Sequence, residues 1–257
     1  MSVPYTPSPT IPLARLLMSS NVLLEPGTPD PAIWAPSMPN LAAWLDRREL
    51  LVAADGNRSR GYLAVKRAFD VVGALLVLLM LAPLMLAVYL TLLVTTRGRP
   101  IFRQERVGHR GQMFPMYKFR TMRLDALSAQ PQVKNEKDGP IFKNRRDPRI
   151  TRIGRWLRAF SIDETPQLFN ILLGHMSLVG PRPPLASEVV QYRPWQFRRL
   201  SVQPGLTCLW QVSGRSEIGF EDWVRMDLWY VDNQSLWTDL KLLVKTPLSV
   251  LSRRGAY

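Results

Sequence analysis

One stretch dominates the hydropathy pattern. From Ala68 to Thr96 nearly every position is apolar, Pro83 falls near the middle, and basic residues crowd both ends: Lys66 and Arg67 before it, Arg97, Arg99, Arg103 and Arg106 after it. The stretch exceeds the roughly 20 apolar residues that a straight helix needs to cross a bilayer. A spanning helix keeps its Lys/Arg excess on the cytoplasmic side, whereas here both flanks carry it. Proline donates no N–H and clashes with the preceding turn. The pattern therefore predicts a kink or break at Pro83, leaving two arms of about 14 residues, each too short to span. A re-entrant helical hairpin over residues 61–99, broken at Ala82 and Pro83, enters and leaves on the cytoplasmic side and satisfies both facts. A kinked spanning helix is the competing reading.

Residues 1–60 read as a proline-rich, largely disordered arm. Asn40 is placed to cap a short amphipathic helix carrying Leu41, Trp44, Leu45, Leu50 and Leu51, whose apolar face suits lipid or the protein's own core. Beyond the apolar stretch, residues 100–257 are long enough for one globular domain. Pro100–Val107 and Phe114–Met122 read as strands joined by a turn at Gly108-His109-Arg110-Gly111. Asp125–Lys143 is polar and reads as a mobile loop. Helices are predicted over Arg149–Arg158 and Pro166–Leu173, the second ending at Gly174. Met176–Pro184 reads as a turn, Leu185–Leu200 as a helix interrupted near Pro194, Gly205–Val212 as a short strand, and Phe220–Val231 as a helix. From Trp237 to Leu251 apolar residues recur at Leu240, Leu243, Val244, Leu248 and Leu251. That spacing suits an interfacial amphipathic helix or a helix packed on the core.

The net charge of +14 calls for an anionic partner: nucleic acid, anionic lipid or a phosphorylated substrate. Beside a membrane segment, lipid headgroups and phosphates are the economical explanation. One cysteine, Cys208, excludes an internal disulfide, and two histidines, His109 and His175, argue against a histidine-built zinc site. No secretory signal opens the chain, so the polar part is expected in the cytoplasm.

Apart from Glu221-Asp222, the only adjacent carboxylates are Asp163 and Glu164. One account is structural: Ser161-x-x-Glu164 matches a capping box, and Thr165-Pro166 makes a good N-cap and first-turn pair. The other is chemical. Arg149, Arg152, Arg155 and Arg158 come just before and Arg182 follows. Two carboxylates among arginines suit a place where a metal ion and phosphates meet, and a carboxylate is also a competent nucleophile. Lys118 and Arg120 alternate with apolar residues, as a strand's polar face or as further phosphate contacts. Gln211-Val-Ser-Gly-Arg215 is a turn ending in a cation. There is no Gly-x-x-x-x-Gly-Lys-Ser/Thr loop, and no Asp-x-Asp of the kind carried by many metal-dependent glycosyltransferases.

Taken in order, Lys66-Arg-Ala-Phe-Asp70, the interrupted apolar segment, Ile101-Phe-Arg-Gln104, Lys118-Phe-Arg-Thr-Met122, Asp163-Glu164 with Pro166-Gln-Leu-Phe-Asn170, Leu178-Val-Gly-Pro-Arg-Pro183 and Pro204-Gly-Leu-Thr207 resemble the bacterial sugar transferases, or monotopic phosphoglycosyltransferases. The resemblance covers residues 66–257 and leaves the arm aside. It implies transfer of a hexose-1-phosphate from a UDP-sugar to polyprenyl phosphate with release of UMP, the first membrane step of exopolysaccharide synthesis. Asp163 would be the nucleophile and Glu164 its partner, together holding magnesium or manganese. Arg158 and Arg182 would clamp phosphate, with Lys118 and Arg120 as further candidates and Gln211 and Arg215 toward the nucleotide-sugar. Related chains often carry Ser-Pro at the helix break; Ala82-Pro83 lacks that hydroxyl. Larger relatives have extra spanning helices before this core, and this chain resembles the minimal form with an added arm.

The expectation is thus an α+β, membrane-inserted monotopic domain on the cytoplasmic face of the bacterial inner membrane. Its partners are UDP-sugar, polyprenyl phosphate, membrane lipid and downstream glycosyltransferases, and not nucleic acid. The alternatives are a basic membrane-tethered nucleic-acid-binding or scaffolding protein, and a glycosyltransferase that releases UDP.

Overall fold

The computed structural model describes residues 59–252, apart from 127, 130–132, 134, 137–139, 143 and 215–217. The N-terminal arm, including the helix expected after Asn40, and Arg215 lie outside the described residues.

The chain folds into a mixed helix-and-sheet (α+β) body with one long helix laid along it. That helix, α1 (Arg60–Thr95), is capped by Ser59, whose side chain accepts from the Tyr62 amide. It runs without interruption through Pro83, so the break expected there is not a helix end. Proline removes one backbone bond and leaves the rest of the ladder intact. Strands β1 (Ile101–Val107) and β2 (Met113–Phe119) form an antiparallel hairpin, paired from Ile101 with Phe119 to Val107 with Met113. The turn between them holds Arg110 in the left-handed region, at φ 53°. Then come α2 (Arg152–Ala159), α3 (Gln167–Leu172), β3 (Ser177–Val179), α4 (Ala186–Val189), β4 (Gly205–Thr207), α5 (Leu209–Ser213), α6 (Phe220–Asp232) and α7 (Leu236–Ser252). The segments Ile162–Glu164 and Pro194–Ser201 are single 3-10 turns or runs of them.

Several boundaries differ from the periodicity. Helix α2 begins at Arg152 because Thr151 accepts from the Gly154 amide and caps it; Arg149 lies upstream, buried against Asp147 at 2.7 Å. The stretch 176–184 contains β3, which pairs in parallel with β4, a partner too distant in sequence for local pattern to reveal. The strand expected over Gly205–Val212 stops at Thr207. There the Gln211 side chain turns back to accept from the Cys208 amide at 2.9 Å, opening α5 instead. The helix expected over Leu185–Leu200 shrinks to α4 followed by the 3-10 run. No helix or strand occurs among the described residues of 125–143.

Helix α1 meets the body along one stripe. Its buried residues are Lys66, Asp70, Ala74, Met85, Val88 and Leu92, mostly three or four apart, as one helical face requires. Ala74 joins the cluster of Phe114, Met116, Leu168, Ile171 and Leu178, while Met85, Val88 and Leu92 pack with Phe119 and Leu157. Strand β2 supplies both clusters, so the two halves of α1 rest on one continuous body. The other faces carry Leu76, Leu79, Met80, Leu86 and Val94, all well exposed.

At the N-terminal end of this stripe a lysine is buried where four elements meet. Lys66 Nζ donates to Asp70 (2.8 Å) and to Ser177 Oγ of β3 (2.5 Å), and pairs with Asp239 Oδ2 of α7 (2.9 Å). The Tyr230 hydroxyl of α6 has a single proton but lies 2.9 Å from the Val179 carbonyl and 2.7 Å from Asp239 Oδ1. Both contacts are satisfied when Asp239 is the neutral acid. Its Oδ1–H then donates to the phenol, Oδ2 accepts from Lys66, and the buried charge reduces to the Lys66–Asp70 pair. Burial pushes the Asp239 carboxyl upward, opposed by Lys66 and by the hydrogen bond to Tyr230.

Asp239→Asn reproduces both bonds of the neutral acid and is expected to change stability by less than about 1 kcal/mol. Lys66→Met strands the Asp70 charge and is expected to cost about 3–5 kcal/mol. Denaturation of both variants in the same detergent or nanodisc checks this. An asparagine variant as unstable as the methionine one would show that Asp239 is ionised.

Candidate active site

The site is assembled where α2, the Ile162–Glu164 turn and β2 converge. Helix α2 approaches the end of β2 so closely that a Cβ on Gly154 would stand 2.0 Å from the Thr121 carbonyl oxygen; only glycine fits. The Thr151 amide bonds that same carbonyl at 3.0 Å. This contact sets Arg158, whose Nε donates to Thr121 Oγ1 at 2.9 Å. After α2 the chain reverses through Ser161, held left-handed at φ 55°, and presents Asp163 and Glu164. Helix α3 follows and is clamped at both sides. Asn170, fully buried, accepts from the Tyr117 amide (3.0 Å) and donates to the Pro115 carbonyl (2.7 Å). Arg67 of α1 donates to the Ile171 and Leu172 carbonyls at 2.6 and 2.8 Å, satisfying acceptors that a helix end leaves open.

Neither capping arrangement expected of the dyad is formed. Ser161 makes no side-chain capping bond, and Thr165 Oγ1 donates to the Ile162 carbonyl. Helix α3 starts after Pro166, again without a side-chain cap. Asp163 is therefore buried without serving as an N-cap. Glu164 Oε1 accepts from Lys118 Nζ at 2.7 Å, which joins the Lys-Phe-Arg motif of β2 to the dyad. Burial raises the Asp163 carboxyl to about 6; Lys118 opposes the rise, Glu164 adds to it and Arg158 opposes it.

The other sequence candidates scatter. Arg120 donates to the Arg99 carbonyl at 2.8 Å and lies over the Phe102 ring, facing the start of the hairpin. Arg182 stands over the Trp223 ring, 5.4 Å from its centroid, and 4.0 Å from Glu188 Oε1. Gln211 is occupied with the start of α5. Arg152 and Arg155 are exposed, and Ala82 and Pro83 lie exposed on α1. Sequence reasoning missed three residues. Arg106, counted only as flanking charge, is buried and electrostatically coupled to Glu164, Glu188 and Arg182. Asn170 and Thr121 were inside quoted motifs, but their bonds to β2 and Arg158 are long-range.

The donor set fits a hard divalent cation only in part-protein form. Among the described residues no group of three or more His, Cys, Asp or Glu gathers. Magnesium is typically held by one or two carboxylates with waters and substrate phosphates completing the shell, and Asp163 with Glu164 supplies such a pair.

The profile describing bacterial sugar transferases matches residues 61–253. The chain belongs to that family. It is 45% identical over 200 residues to the undecaprenyl-phosphate galactose phosphotransferase of Salmonella typhimurium, covering 75% of this chain and 42% of that protein. Identity to the undecaprenyl-phosphate glucose phosphotransferase of Komagataeibacter xylinus is 39% over 206 residues, 75% of this chain and 37% of that one. The exopolysaccharide production protein ExoY of Rhizobium meliloti is 39% identical over 198 residues, 75% and 88% of the two lengths. The chain thus spans less than half the length of the first two relatives and most of the third.

The raised Asp163 carboxyl makes opposite forecasts for folding and for turnover. The folded state holds this proton more tightly than the unfolded chain, whose carboxyl titrates near 4. The Asp163 contribution to stability is therefore complete below about pH 4 and is lost as pH rises through about 6. A reaction that needs the ionised carboxylate gains rate over that same interval. A pH–rate profile is expected to show an acid limb with an apparent pKa near 6 that moves or disappears in Lys118→Met. A flat profile between pH 5 and 7 contradicts the assignment.

Proposed function

We propose that this bacterial sugar transferase moves a hexose-1-phosphate, glucose or galactose, from a UDP-sugar to polyprenyl (undecaprenyl) phosphate and releases UMP. The product would open exopolysaccharide synthesis. The observation that carries the reading is Asp163: a buried carboxylate, relieved of any capping role, beside Glu164 and within the fields of Lys118 and Arg158. The relatives, named as galactose and glucose phosphotransferases of undecaprenyl phosphate, support the substrate class.

In this mechanism the Asp163 carboxylate attacks the phosphorus that bears the sugar. The bond to the bridging oxygen of the diphosphate breaks, UMP leaves with that electron pair, and an aspartyl-phosphosugar remains. A phosphate oxygen of the polyprenyl acceptor then attacks the same phosphorus and expels Asp163, giving a polyprenyl diphosphosugar. Lys118, bonded to Glu164, keeps a cation beside the nucleophile, and Arg158 supplies a second. Arg182 would bind the far side of the diphosphate. Magnesium, which Asp163 and Glu164 would hold, neutralises diphosphate charge when bound.

Membrane geometry is part of the proposal. Helix α1 is long and apolar, with its most apolar window only 11% buried, yet its Lys66 end and its Leu92 end both touch one body. A body on one side of a bilayer cannot touch both ends of a spanning helix, which argues against a span and for insertion from a single face. Helix α7 turns Asp239 and Leu242 inward and exposes Trp237, Leu240, Val244 and Leu248, an outward apolar stripe suited to an interfacial helix. The Lys66–Asp239 pair joins α7 to the apolar helix α1, and that neighbour favours lipid over a second copy of the domain or a bound partner.

Asparagine and aspartate cap helices about equally, so a capping Asp163 would tolerate Asp163→Asn. The proposal expects at least a ~1000-fold loss of UMP release, as for removal of a nucleophile, in a variant that still folds and binds membranes. Wild-type protein given UDP-sugar without acceptor is expected to gain the mass of one phosphohexose, mapped to Asp163. Release of UDP, or an active asparagine variant without an adduct on the wild type, excludes the covalent route.

Topology is tested separately. Single cysteines near Arg60 and near Arg110, in a Cys208→Ser background, are expected to react with an impermeant reagent from the same, cytoplasmic side. Labelling from opposite sides would establish a spanning helix.

A further inference from the structure

The segment Val179-Gly-Pro-Arg-Pro-Pro184 contains three prolines and so offers few amide donors while presenting a full set of carbonyls. The fold satisfies them from outside. The Val179 carbonyl accepts from the Tyr230 hydroxyl, the Pro181 carbonyl from the Gly205 amide, and the Pro184 carbonyl from the Val107 amide. The two carbonyls at Arg182 itself and at Pro183 are taken by buried guanidinium groups. Arg199 Nη2 reaches the Arg182 carbonyl at 3.2 Å, and Arg106 Nη1 reaches the Pro183 carbonyl at 3.1 Å.

These two arginines differ in how they are neutralised. Arg199 is paired with buried Asp227 and bonded to the Tyr192 hydroxyl. Arg106 donates from Nη2 to the neutral Gln104 side chain at 2.7 Å and has no ion pair with a carboxylate among the described residues; the buried Nε of each arginine lacks a hydrogen-bond partner there. A guanidinium left without a carboxylate partner this deep is costly unless its charge serves something nearby. The charged and titratable groups whose fields reach it are Arg182, Glu188, Glu164 and Tyr192, and its grip is on the Pro183 carbonyl of the proline turn. One side chain thus grips the backbone next to Arg182 and shares the field of Glu164.

We propose that Arg106 is a positioning residue: it fixes the proline turn so that the Arg182 guanidinium stands at a set distance from the Asp163–Glu164 dyad, and it acts on the reaction through Arg182. This rests on the phosphosugar-transferase reading above. A displacement of about 1 Å in a group that orients substrate costs on the order of 100-fold in rate, so a loss of that size in kcat/KM is expected when the grip is released.

A double-mutant cycle tests it. Arg106→Gln removes the charge, and Arg106→Lys keeps the charge with a single bond in place of the fork, so a folded variant is at hand for the cycle. Each is combined with Arg182→Gln and read as kcat/KM for UMP release and, independently, as the dissociation constant for inorganic pyrophosphate. If Arg106 works through Arg182, its substitution costs about 100-fold alone and little more once Arg182 is gone. Additive losses in the cycle would instead mean a direct substrate contact or general loss of structure, and would overturn the proposal, as would a single variant with wild-type kcat/KM. Should the wild type release no UMP from any UDP-sugar while the pyrophosphate cycle remains non-additive, the transferase reading fails and the positioning role stands.

Discussion

The fold depends on one buried ammonium. Lys66 sits at 5% exposure where α1, β3 and α7 meet, with Tyr230 of α6 one bond away. An unpaired charge there would cost several kcal/mol, so the lysine forces its surroundings to converge. Asp70 must come from the same helix one turn on, Ser177 from the strand, and Asp239 from the last helix. Asp70 then accepts from the Leu178 amide at 3.0 Å and fixes where β3 leaves the helix. The proline turn carrying Arg182 begins directly after β3, and Arg67, the residue after Lys66, holds the end of α3 behind the dyad. A substitution at the first turns of an apolar helix therefore reaches both halves of the site without touching either.

Within the site, burial and charge work against each other by design of position. Taking Asp163 out of water favours its proton; Lys118 and Arg158 favour its loss; Glu164 favours retention. Lys118 is itself tied to Glu164, so its full charge is not spent on Asp163. The result is a carboxylate lifted toward neutrality yet able to ionise, a state that a solvent-exposed aspartate or a strongly paired one does not reach. Position comes from a glycine that lets α2 touch Thr121 and from Asn170, which bonds two backbone groups of β2. The turn that carries Asp163 is thereby braced on two sides by strand β2, which also carries Lys118.

Much of this was legible in sequence, and what was not shares a physical cause. The apolar helix, the β1–β2 hairpin and α6 rest on local periodicity or turn chemistry and stand where the pattern puts them, except that the helix does not end at Pro83. Asp163, Glu164, Lys118 and Arg158 were found as charged residues in short motifs, and the fold brings them together. Strand β3 was read as a turn because its three residues are stabilised by Gly205–Thr207, which no local window contains. The capping box at Ser161 was a correct local pattern defeated by a left-handed residue. Arg106 looked like one more flanking charge, since its meaning lies in carbonyls that proline leaves exposed far along the chain. Arg120 and Arg182 carry similar charge in motifs of similar appearance, yet one binds backbone at the hairpin and the other stands over Trp223.

The long helix inverts the usual amphipathic arrangement. In a helix on a water-soluble body, apolar residues face the core and charged ones face outward. In α1 the buried stripe includes Lys66 and Asp70, whereas Leu76, Leu79, Met80 and Val94 are 63%, 74%, 71% and 82% exposed. Water would make that outward surface unfavourable by tens of cal/mol for each Å², and a surface this continuous is not a scatter of single exposed residues. Hydrocarbon removes the penalty and at the same time makes inward-facing charges tolerable only if they are paired, as they are. In the proposed insertion the basic residues at both ends meet headgroups instead of the bilayer interior. The same stripe that joins α1 to the body thus leaves its other faces as the ones that lipid would cover. A continuous helix through Pro83 need not cross the bilayer for its apolar faces to be covered.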